Sequence, residues 1–498
     1  MSSRKHERLA AVDLGSNSFH LQVGRVVESQ IYLLDSIREP VRLGAGLNQD
    51  RRLDRAAQLR ALEALGRMGE RLRGFAVDSV RAVGTNALRV ARNADSFLEE
   101  AERALGFPIE VIFGKEEARL IYLGVAHAAP ATQGRRLVVD IGGGSTECII
   151  GTGLEPELTE SLSMGCVSYT QRHFSGGSLS RQAFKKAELS AASELQRIAP
   201  DFRRAGWRTA IASSGSARAI AAILGENGWA ESGINAEGLE RLRNCLIKAG
   251  DVGRLSLRGL RDDRAAIIAG GVAIMCAVFG ELRLEQIDVT DAALRQGVLY
   301  DLLGRVQHQD MRASTVREFM RRYHVDMAQA ERVAALSQTL FGELNPGASE
   351  PDTLALRFAA LLHEIGISIA HAGYHKHSSY ILSQADMPGF SQAEQSRLAR
   401  LVLAHRGKLS KIESLPARSM DWMQIVSIRL AALLCKTRTV EPLPTPRLRQ
   451  TENGFTLALD RSWLDGHPLT EAVLEAEVEE WRGLGMDLLL VDRLPEFM

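Results

Sequence analysis

Cysteine is scarce in this sequence of 498 residues, and the five that occur are far apart. They form no CxxC pair, which argues against a zinc site or a disulfide framework and indicates a reducing compartment. Acidic and basic residues balance at 61 each, so no overall field attracts nucleic acid or an anionic membrane. No apolar run approaches the roughly 18 residues that span a bilayer. We therefore expect a cytoplasmic protein that binds no nucleic acid, with association at the inner membrane face left open.

A short sequence motif occurs twice in the chain, as Val12-Asp13-Leu14-Gly15-Ser16-Asn17-Ser18 and as Val139-Asp140-Ile141-Gly142-Gly143-Gly144-Ser145-Thr146. Each copy follows an apolar run typical of a buried strand and turns at an aspartate into a second apolar run. Glycine lets backbone N–H groups converge on an anion, hydroxyls add donors, and a nearby carboxylate can hold a cation. Two such turns facing each other predict a cleft for a phosphorylated substrate and a metal, although one Asp-x-Gly turn alone is usually structural.

Similar elements follow both copies in a similar order. After the first, the pattern predicts strands at 30–34, 79–83 and 109–113, helices at 53–73 and 96–105, and a further helix from Glu116. After the second, it predicts strands at 158–163 and 209–213 and a helix near 181–204. The fold class is therefore α/β, with two duplicated domains whose turns are related by pseudo-symmetry.

The remainder of the chain has a different character. From 315 to 438 the periodicity is that of successive amphipathic helices, broken at Asn345-Pro346-Gly347 and at Pro388-Gly389. Beyond a proline-rich stretch at 442–446, strands at 455–459 and 487–491 flank a helix at 469–481, which predicts a small α/β end piece. We predict domains at 1–125, 126–304, 305–440 and 441–498.

Four carboxylates are candidates for the chemistry. Asp140 and Glu147 bracket the second turn, where hard oxygen ligands with a few waters suit magnesium. Glu116 and Glu117 begin a helix at the point where the chain should return to the cleft, and a carboxylate there can accept a proton from an attacking water. The helix dipole alone also favours acidic residues in a first turn.

Other positions are weaker candidates. Polar and basic residues from Thr85 to Arg89, together with Asn93, would lie around the cleft, with Arg89 suited to clamp a phosphate. A turn at 213–216, which includes Ser214 and Gly215, would suit a nucleoside, although a plain strand-to-helix connection is the commoner use of such a turn. Leu362-His363-Glu364 matches the metal motif of HD phosphohydrolases incompletely, so we expect no working metal site there. Histidines and bases between 371 and 411 would suit a polyphosphorylated ligand or only a solvated surface.

These residues resemble the exopolyphosphatase and guanosine pentaphosphate phosphohydrolase (Ppx/GppA) family of the actin-like and sugar-kinase superfamily. The motifs that carry the resemblance are segments 11–20, 114–120, 140–147, 163–167 and 293–297, and the His-Glu helix segment is matched too. The resemblance implies two actin-like, ribonuclease H-like domains, an inactive all-α HD-like domain and a small α/β C-terminal domain. It also implies processive hydrolysis of terminal phosphate from inorganic polyphosphate, with Mg²⁺ and K⁺, by a homodimer.

The resemblance assigns a role to each candidate. Glu117 would be the general base, with Glu116 the lesser candidate, and Asp140 and Glu147 would organise the metal. The substrate would be held by Asp13, Gly15, Ser16, Asn17, Ser18, Arg89, Asn93, Gly143, Gly144, Ser145, Thr146, Ser214 and Gly215. Dimeric helical domains would form a polyphosphate channel, to which Lys376, Arg406 and Lys408 would contribute.

Within this family, segments 142–145 and 371–378 favour an exopolyphosphatase in our interpretation. The first alternative is a phosphohydrolase of guanosine pentaphosphate (pppGpp), and one enzyme can also act on both substrates. A non-catalytic sensor of guanosine tetraphosphate (ppGpp) is the second, but the presence of Glu117, Asp140 and Glu147 speaks against it. A sugar-kinase-type phosphotransferase would need a sugar-selecting feature, and the sequence shows none.

Overall fold

A computed structural model describes residues 7–27, 30–129, 134–307, 310–412, 420–438 and 444–492. The chain forms two compact units, Met1–Met311 and Arg312–Met498. The predicted boundary at 440/441 and the start of the proline-rich stretch lie outside the described residues, and the division into four domains stays a prediction. Among the helices described, none is long and apolar enough to cross a membrane.

Two sheets of matching topology form the first unit. The first sheet has the order β3-β2-β1-β4-β5, from β1 (Arg8–Leu14), β2 (Phe19–Val27), β3 (Gln30–Glu39), β4 (Val80–Gly84) and β5 (Ile109–Val111). The second has the order β10-β11-β9-β6-β7-β8, from β6 (Arg136–Ile141), β7 (Thr146–Thr152), β8 (Glu155–Leu162), β9 (Thr209–Ser213), β10 (Ile234–Asn235) and β11 (Gln286–Val289). In both, the first strand pairs antiparallel with the next strand and parallel with the fourth. The predicted duplication is confirmed.

Twelve helices are described in this unit. They are α1 (Arg55–Arg71), α2 (Asn86–Val90), α3 (Ala94–Leu105), α4 (Gly114–Ala128), α5 (Cys166–His173), α6 (Arg181–Leu195), α7 (Ala199–Ala205), α8 (Ser214–Glu226), α9 (Ala236–Ala249), α10 (Asp262–Ala265), α11 (Ile268–Leu282) and α12 (Leu294–Val306). The prediction of a single helix near 181–204 is wrong, because α6 ends at Leu195 and a separate helix, α7, begins at Ala199. Pro200, which has no N–H to donate, lies in the first turn of α7, where it is tolerated.

Helices α4 and α12 touch through their backbones. A Cβ atom on Gly297 would lie 1.7 Å from the carbonyl oxygen of Leu120, and one on Gly124 would lie 2.2 Å from that of Ala293. Glycine is therefore required at this crossing on both helices. The close approach fixes the positions of the two helix starts, which supply acidic and basic side chains to the site described below.

A buried ion network holds the same two helices against the first sheet. Arg81 of β4 donates to Asp301 of α12 at 2.6 Å, and Arg119 of α4 bonds the same carboxylate. Arg119 also donates to both carboxylate oxygens of Glu116, at 2.7 and 2.8 Å. Since buried charges are stable only when paired, this network fixes α4 and α12 in register.

The second unit is mainly helical, as expected. Its helices are α13 (Met311–Arg322), α14 (Met327–Leu344), α15 (Glu350–Leu362), α16 (Tyr374–Gln384), α17 (Gln392–Ala404) and α18 (Met420–Leu434), and the predicted breaks at 345–347 and 388–389 are confirmed. The end piece contains β12 (Arg447–Thr451), β13 (Gly454–Ala458), α19 (Arg461–Asp465), α20 (Pro468–Arg482) and β14 (Asp487–Val491), with sheet order β12-β13-β14. The sequence pattern did not indicate β12. One core, which includes Leu356, Trp422 and Trp481, joins helices and end piece.

Candidate functional site

The two glycine turns of the first unit lie against each other and line one cleft. A Cβ atom on Gly143 would lie 2.9 Å from the Cβ of Ser16, so the turns are in contact. The other predicted residues that line this cleft are Asp13, Gly15, Asn17, Ser18, Glu117, Asp140, Gly144, Ser145, Ser214 and Gly215. The structure therefore brings most of the predicted site residues together.

The first turn, between β1 and β2, is supported from behind by the loop that follows β3. The amide of Gly44 donates to the carbonyl oxygen of Ser16 at 2.7 Å, and that of Arg42 donates to Asn17 at 2.8 Å. The hydroxyl of Ser18 is buried and has no hydrogen-bond partner among the described residues. Because buried polar groups are normally paired, this hydroxyl is suited to donate to a ligand in the cleft.

The second turn, between β6 and β7, is held by helix α5. The amide of Gly142 donates to Ser145, and the amides of Cys166 and Val167 donate to the carbonyl oxygens of Gly142 and Gly143, each at 2.9 Å. Thr146 does not face the cleft, since its buried hydroxyl donates to the carbonyl of Met164 at 2.6 Å. The substrate contact expected of Thr146 is thus replaced by a structural one.

Glu117 enters the cleft from the first turn of α4. Its Oε2 atom accepts a hydrogen bond from Nη1 of Arg89 at 2.9 Å, and the same nitrogen lies 2.9 Å from the carbonyl oxygen of Ile112. Arg89 therefore orients the carboxylate from behind and does not line the cleft. Glu116 points the other way, into the buried network with Arg119, so its position does not fit the catalytic role expected as the lesser alternative.

The segment from Thr85 to Arg89 does reach the cleft, but through residues other than Arg89. Thr85 and Asn86 line it, and a Cβ atom on Gly144 would lie 2.2 Å from Oδ1 of Asn86. Asn93 lies elsewhere, because its side-chain amide accepts from the amide of Leu53 at 2.8 Å and donates to that residue's carbonyl at 3.1 Å. Asn93 therefore has a structural role, since its side chain holds the backbone at Leu53.

The carboxylates in and beside the cleft share one electrostatic environment. Burial, with repulsion from Glu117 and Asp140, raises the pKa of Asp13 to about 7, although Arg295 opposes the shift. Burial and Glu117 likewise raise the pKa of Asp140 to about 6, against a hydrogen bond from Ser213. Glu147 does not line the cleft but is buried beside Asp140, where it accepts a hydrogen bond from Ser161 at 2.8 Å. Burial raises its pKa well above the ordinary value, with Glu117 and Asp140 adding repulsion. Bringing these carboxylates together leaves negative charge that a cation would compensate.

Asp140 and Glu147 suit Mg²⁺, which takes several of its ligands from water and substrate, better than a metal that is held by protein ligands alone. They face each other across β6 and β7, and in the described chain neither forms an ion pair. Among the same residues, no group of three or more His, Cys, Asp or Glu side chains could hold a metal. Mg²⁺ commonly uses one or two carboxylates and takes its other ligands from water and substrate phosphates.

The remaining predicted residues lie in the second unit. Lys376, Arg406 and Lys408 are exposed, and the guanidinium of Arg406 lies 5.1 Å from the ring centroid of Tyr374. Glu364, the acidic half of the incomplete HD motif, forms an ion pair with Arg438. The HD-like character of this unit stays a prediction.

A second cavity, of about 560 Å³, continues from the cleft and was not expected from the sequence. It is lined by five arginines, which are Arg38, Arg218, Arg261, Arg264 and Arg295. Burial and four of these arginines lower the pKa of His20, which lies between the two cavities, to about 3. A Cβ atom on Gly215 would lie 2.2 Å from Nη2 of Arg264, so that guanidinium lies directly over the predicted nucleoside turn.

The chain is similar to a known family and to curated proteins over most of its length. Residues 22–306 match the Ppx/GppA phosphatase family, and residues 311–478 match domain III of that family. A guanosine-5'-triphosphate,3'-diphosphate pyrophosphatase of Aeromonas hydrophila is 38% identical over 491 residues, which cover 97% of this chain and 98% of that protein. One of Pseudoalteromonas translucida is 37% identical over 487 residues, with the same coverage.

Solved structures match the first part of the chain. An exopolyphosphatase from Cytophaga hutchinsonii is 25% identical, with a TM-score of 0.55 over 60% of this chain and 98% of its own. The Aquifex aeolicus member of the Ppx/GppA protein family is 26% identical, with a TM-score of 0.51 over 61% of this chain and 98% of its own.

Proposed function

The chain belongs to the Ppx/GppA phosphatase family, and on that premise we propose that it hydrolyses guanosine-5'-triphosphate,3'-diphosphate, releasing the terminal 5'-phosphate as orthophosphate. The sequence alone favoured inorganic polyphosphate as substrate. Curated relatives that match 97% of the chain carry the name of the nucleotide enzyme, so this alternative becomes the first candidate.

The arginine-lined cavity is the observation that carries the proposal. Its walls combine guanidinium groups with the apolar side chains of Leu21, Leu33 and Ile37. Guanidinium forks bind phosphate groups, and apolar walls suit a base and a ribose. Because the cavity opens into the cleft, a nucleotide could place its 5'-triphosphate at the glycine turns and its 3'-diphosphate among the arginines.

The chemistry proposed for the cleft is attack by water on the terminal phosphorus. Glu117 accepts the proton of that water as the new P–O bond forms, and the bond between this phosphorus and the bridging oxygen breaks. The products are orthophosphate and guanosine tetraphosphate. Arg89 keeps the Glu117 carboxylate oriented, while the Ser18 hydroxyl and the turns around Ser16 and Gly143 hold the terminal phosphate.

The cation requirement follows from Asp140, which lines the cleft, and from Glu147, which is buried beside it. Asp140 and Glu147 would hold Mg²⁺, which when bound would neutralise charge on the phosphates. Activation by K⁺ and the homodimer stay predictions, since no contact of the described residues bears on either.

Exopolyphosphatase activity is the second candidate. It needs the same attack on a terminal phosphoanhydride, and a solved structure with this name matches the first part of the chain. The exposed bases Lys376, Arg406 and Lys408 remain the proposed contacts for a long polyphosphate chain.

The substitution Arg264→Met tests the nucleotide assignment. We expect kcat/KM for guanosine pentaphosphate to fall by about tenfold to a hundredfold, because a mostly buried guanidinium that faces the nucleotide is lost. The kcat/KM for short-chain polyphosphate should fall by no more than about threefold, because Arg264 also lines the cleft but polyphosphate makes no use of the arginine-lined cavity. Phosphate release measured in parallel on both substrates gives the two values.

The matched control is Arg254→Met, which removes an exposed arginine that lines neither cavity. It should leave both values unchanged. Parallel loss of both activities in Arg264→Met would show that Arg264 supports the fold of the site and does not select the nucleotide.

A further inference from the structure

One carboxylate is held among three of the cavity arginines. Asp263, in the short helix α10, accepts a hydrogen bond from Nη2 of Arg38 at 2.9 Å. Its other oxygen lies 3.2 Å from Nε of Arg261, and Nε of Arg264 is 3.9 Å away. Burial alone would raise the pKa of Asp263, but the hydrogen bond and charge of Arg38, with the other two arginines, hold it below its ordinary value. The carboxylate is therefore ionised at neutral pH.

The partners of Asp263 come from both halves of the first unit. Arg38 lies on the edge strand β3 of the first sheet, paired in register with His20. Arg261 and Arg264 flank Asp263 in and beside α10, in the second half of the unit. The Asp263 carboxylate thus bridges the two halves next to the cavity that would receive the 3'-diphosphate.

Positive charge around this cavity still exceeds negative charge. Of the other lining arginines, Arg218 pairs with Asp291 at 2.7 Å, and Arg295 forms no ion pair within the described chain. The Asp291 side chain is 86% exposed, so solvent screens its charge strongly. The cavity therefore favours a multiply charged anion. Asp263 does not line it but lies in the adjoining cavity, whose walls share Arg38 and Arg261 with it, so the anion and Asp263 compete for the same guanidinium groups.

We propose that Asp263 is a specificity-determining residue, whose carboxylate competes with a diphosphate group of the ligand for Arg38, Arg261 and Arg264. An entering anion has to draw these guanidinium groups away from the carboxylate. A diphosphate, with several charges and several acceptor oxygens, makes more bonds to the arginines than the carboxylate it replaces, whereas a single phosphate gains little. The identification of the diphosphate with the 3'-group of the nucleotide rests on the proposed function, but the competition itself does not.

The test is Asp263→Asn in the full chain, with inorganic pyrophosphate and orthophosphate as probes in calorimetric titrations. Asparagine keeps the shape of the side chain and an oxygen that can accept from Arg38, but it lacks the competing charge. We expect pyrophosphate to bind the variant about tenfold more tightly and the preference over orthophosphate to shrink. Asp262→Asn is the matched control, because Asp262 is the exposed neighbour without an ion pair to these arginines among the described contacts, and it should change neither value.

Unchanged or weaker pyrophosphate binding by an Asp263→Asn protein with a normal melting temperature would overturn the role of Asp263. An equal effect of Asp262→Asn would overturn it as well, since general charge would then explain the result. Tighter pyrophosphate binding in Asp263→Asn, with hydrolysis by the wild type confined to polyphosphate, would retain the role of Asp263 and reject the nucleotide as substrate. Hydrolysis of the nucleotide by the wild type, with unchanged pyrophosphate binding in Asp263→Asn, would retain the nucleotide as substrate and reject the role of Asp263.

Discussion

The substitution Glu117→Gln is expected to lower kcat for phosphate release by about a thousandfold while the protein stays folded. Glutamine fills the same space and its oxygen can still accept the hydrogen bond from Arg89, which lies 2.9 Å from the carboxylate. It cannot take a proton from the attacking water. Substrate affinity should therefore change by less than about threefold, and the kcat of the purified variant is the value to measure.

The adjacent substitution Glu116→Gln is the control, because it alters a carboxylate of equal chemistry that faces away from the cleft. Glu116 binds Arg119 through both oxygens in the buried network. Removing its charge leaves Arg119 undercompensated, so we expect a loss of a few kcal/mol in the free energy of unfolding, with about 3 kcal/mol as the guide. The kcat of the folded protein should remain near that of the wild type. A kcat for Glu117→Gln close to that of the wild type, or an equal loss of kcat in both variants, would contradict the assignment of Glu117 as the base.

The second large effect is a gain in stability from Asp140→Asn. In the folded protein the pKa of Asp140 is raised from 3.8 to about 6. Its contribution to the free energy of unfolding is therefore complete below pH 3.8 and is lost as the pH rises through 6. Without Mg²⁺, the variant should therefore exceed the wild type by as much as about 3 kcal/mol in free energy of unfolding at pH 8. The difference should vanish toward pH 4, as denaturant titrations at both pH values would show.

Magnesium gives this comparison a second readout. If Asp140 holds the ion, added Mg²⁺ should raise the melting temperature of the wild type and leave that of Asp140→Asn unchanged. A variant that is less stable than the wild type at pH 8, or one that Mg²⁺ stabilises equally, would contradict the account of the cleft carboxylates.

Local pattern was sufficient for the parts of the site that lie on one stretch of chain. The two glycine turns follow buried strands in the sequence, and the strand order places Ser16 against Gly143. Glu117 could be predicted for a related reason, because α4 begins where β5 ends. The duplicated topology, confirmed here and shared with the actin-like fold of solved family members, follows from the same repeated order of elements.

Side-chain direction could not be predicted in the same way. Arg89, Asn93 and Thr146 lie in segments that border the cleft, but none of them lines it. Asn93 and Thr146 bond to backbone groups elsewhere, and Arg89 bonds to Glu117, which is the side chain that reaches the cleft. Glu116 and Glu117 are neighbours in sequence, yet successive residues on a helix point in different directions, and only one reaches the cleft. The buried network that captures Glu116 depends on Asp301, which is remote in sequence.

The arginine cavity has no local signature at all. Arg38, Arg218 and Arg264 come from a strand and two helices that are far apart in the chain, and each resembles an ordinary surface arginine in its own segment. Arg295 alone lies in one of the motifs that carried the family resemblance. This explains why the sequence favoured polyphosphate, for which the glycine turns suffice, and why the cavity changes the preferred substrate.

The choice between the two substrates is tested most directly by comparing kcat/KM for orthophosphate release from guanosine pentaphosphate and from long-chain polyphosphate, using the wild-type protein with Mg²⁺ and K⁺. We predict a value for the nucleotide that is at least about tenfold higher. An equal or higher value for polyphosphate would contradict it and would make the chain an exopolyphosphatase.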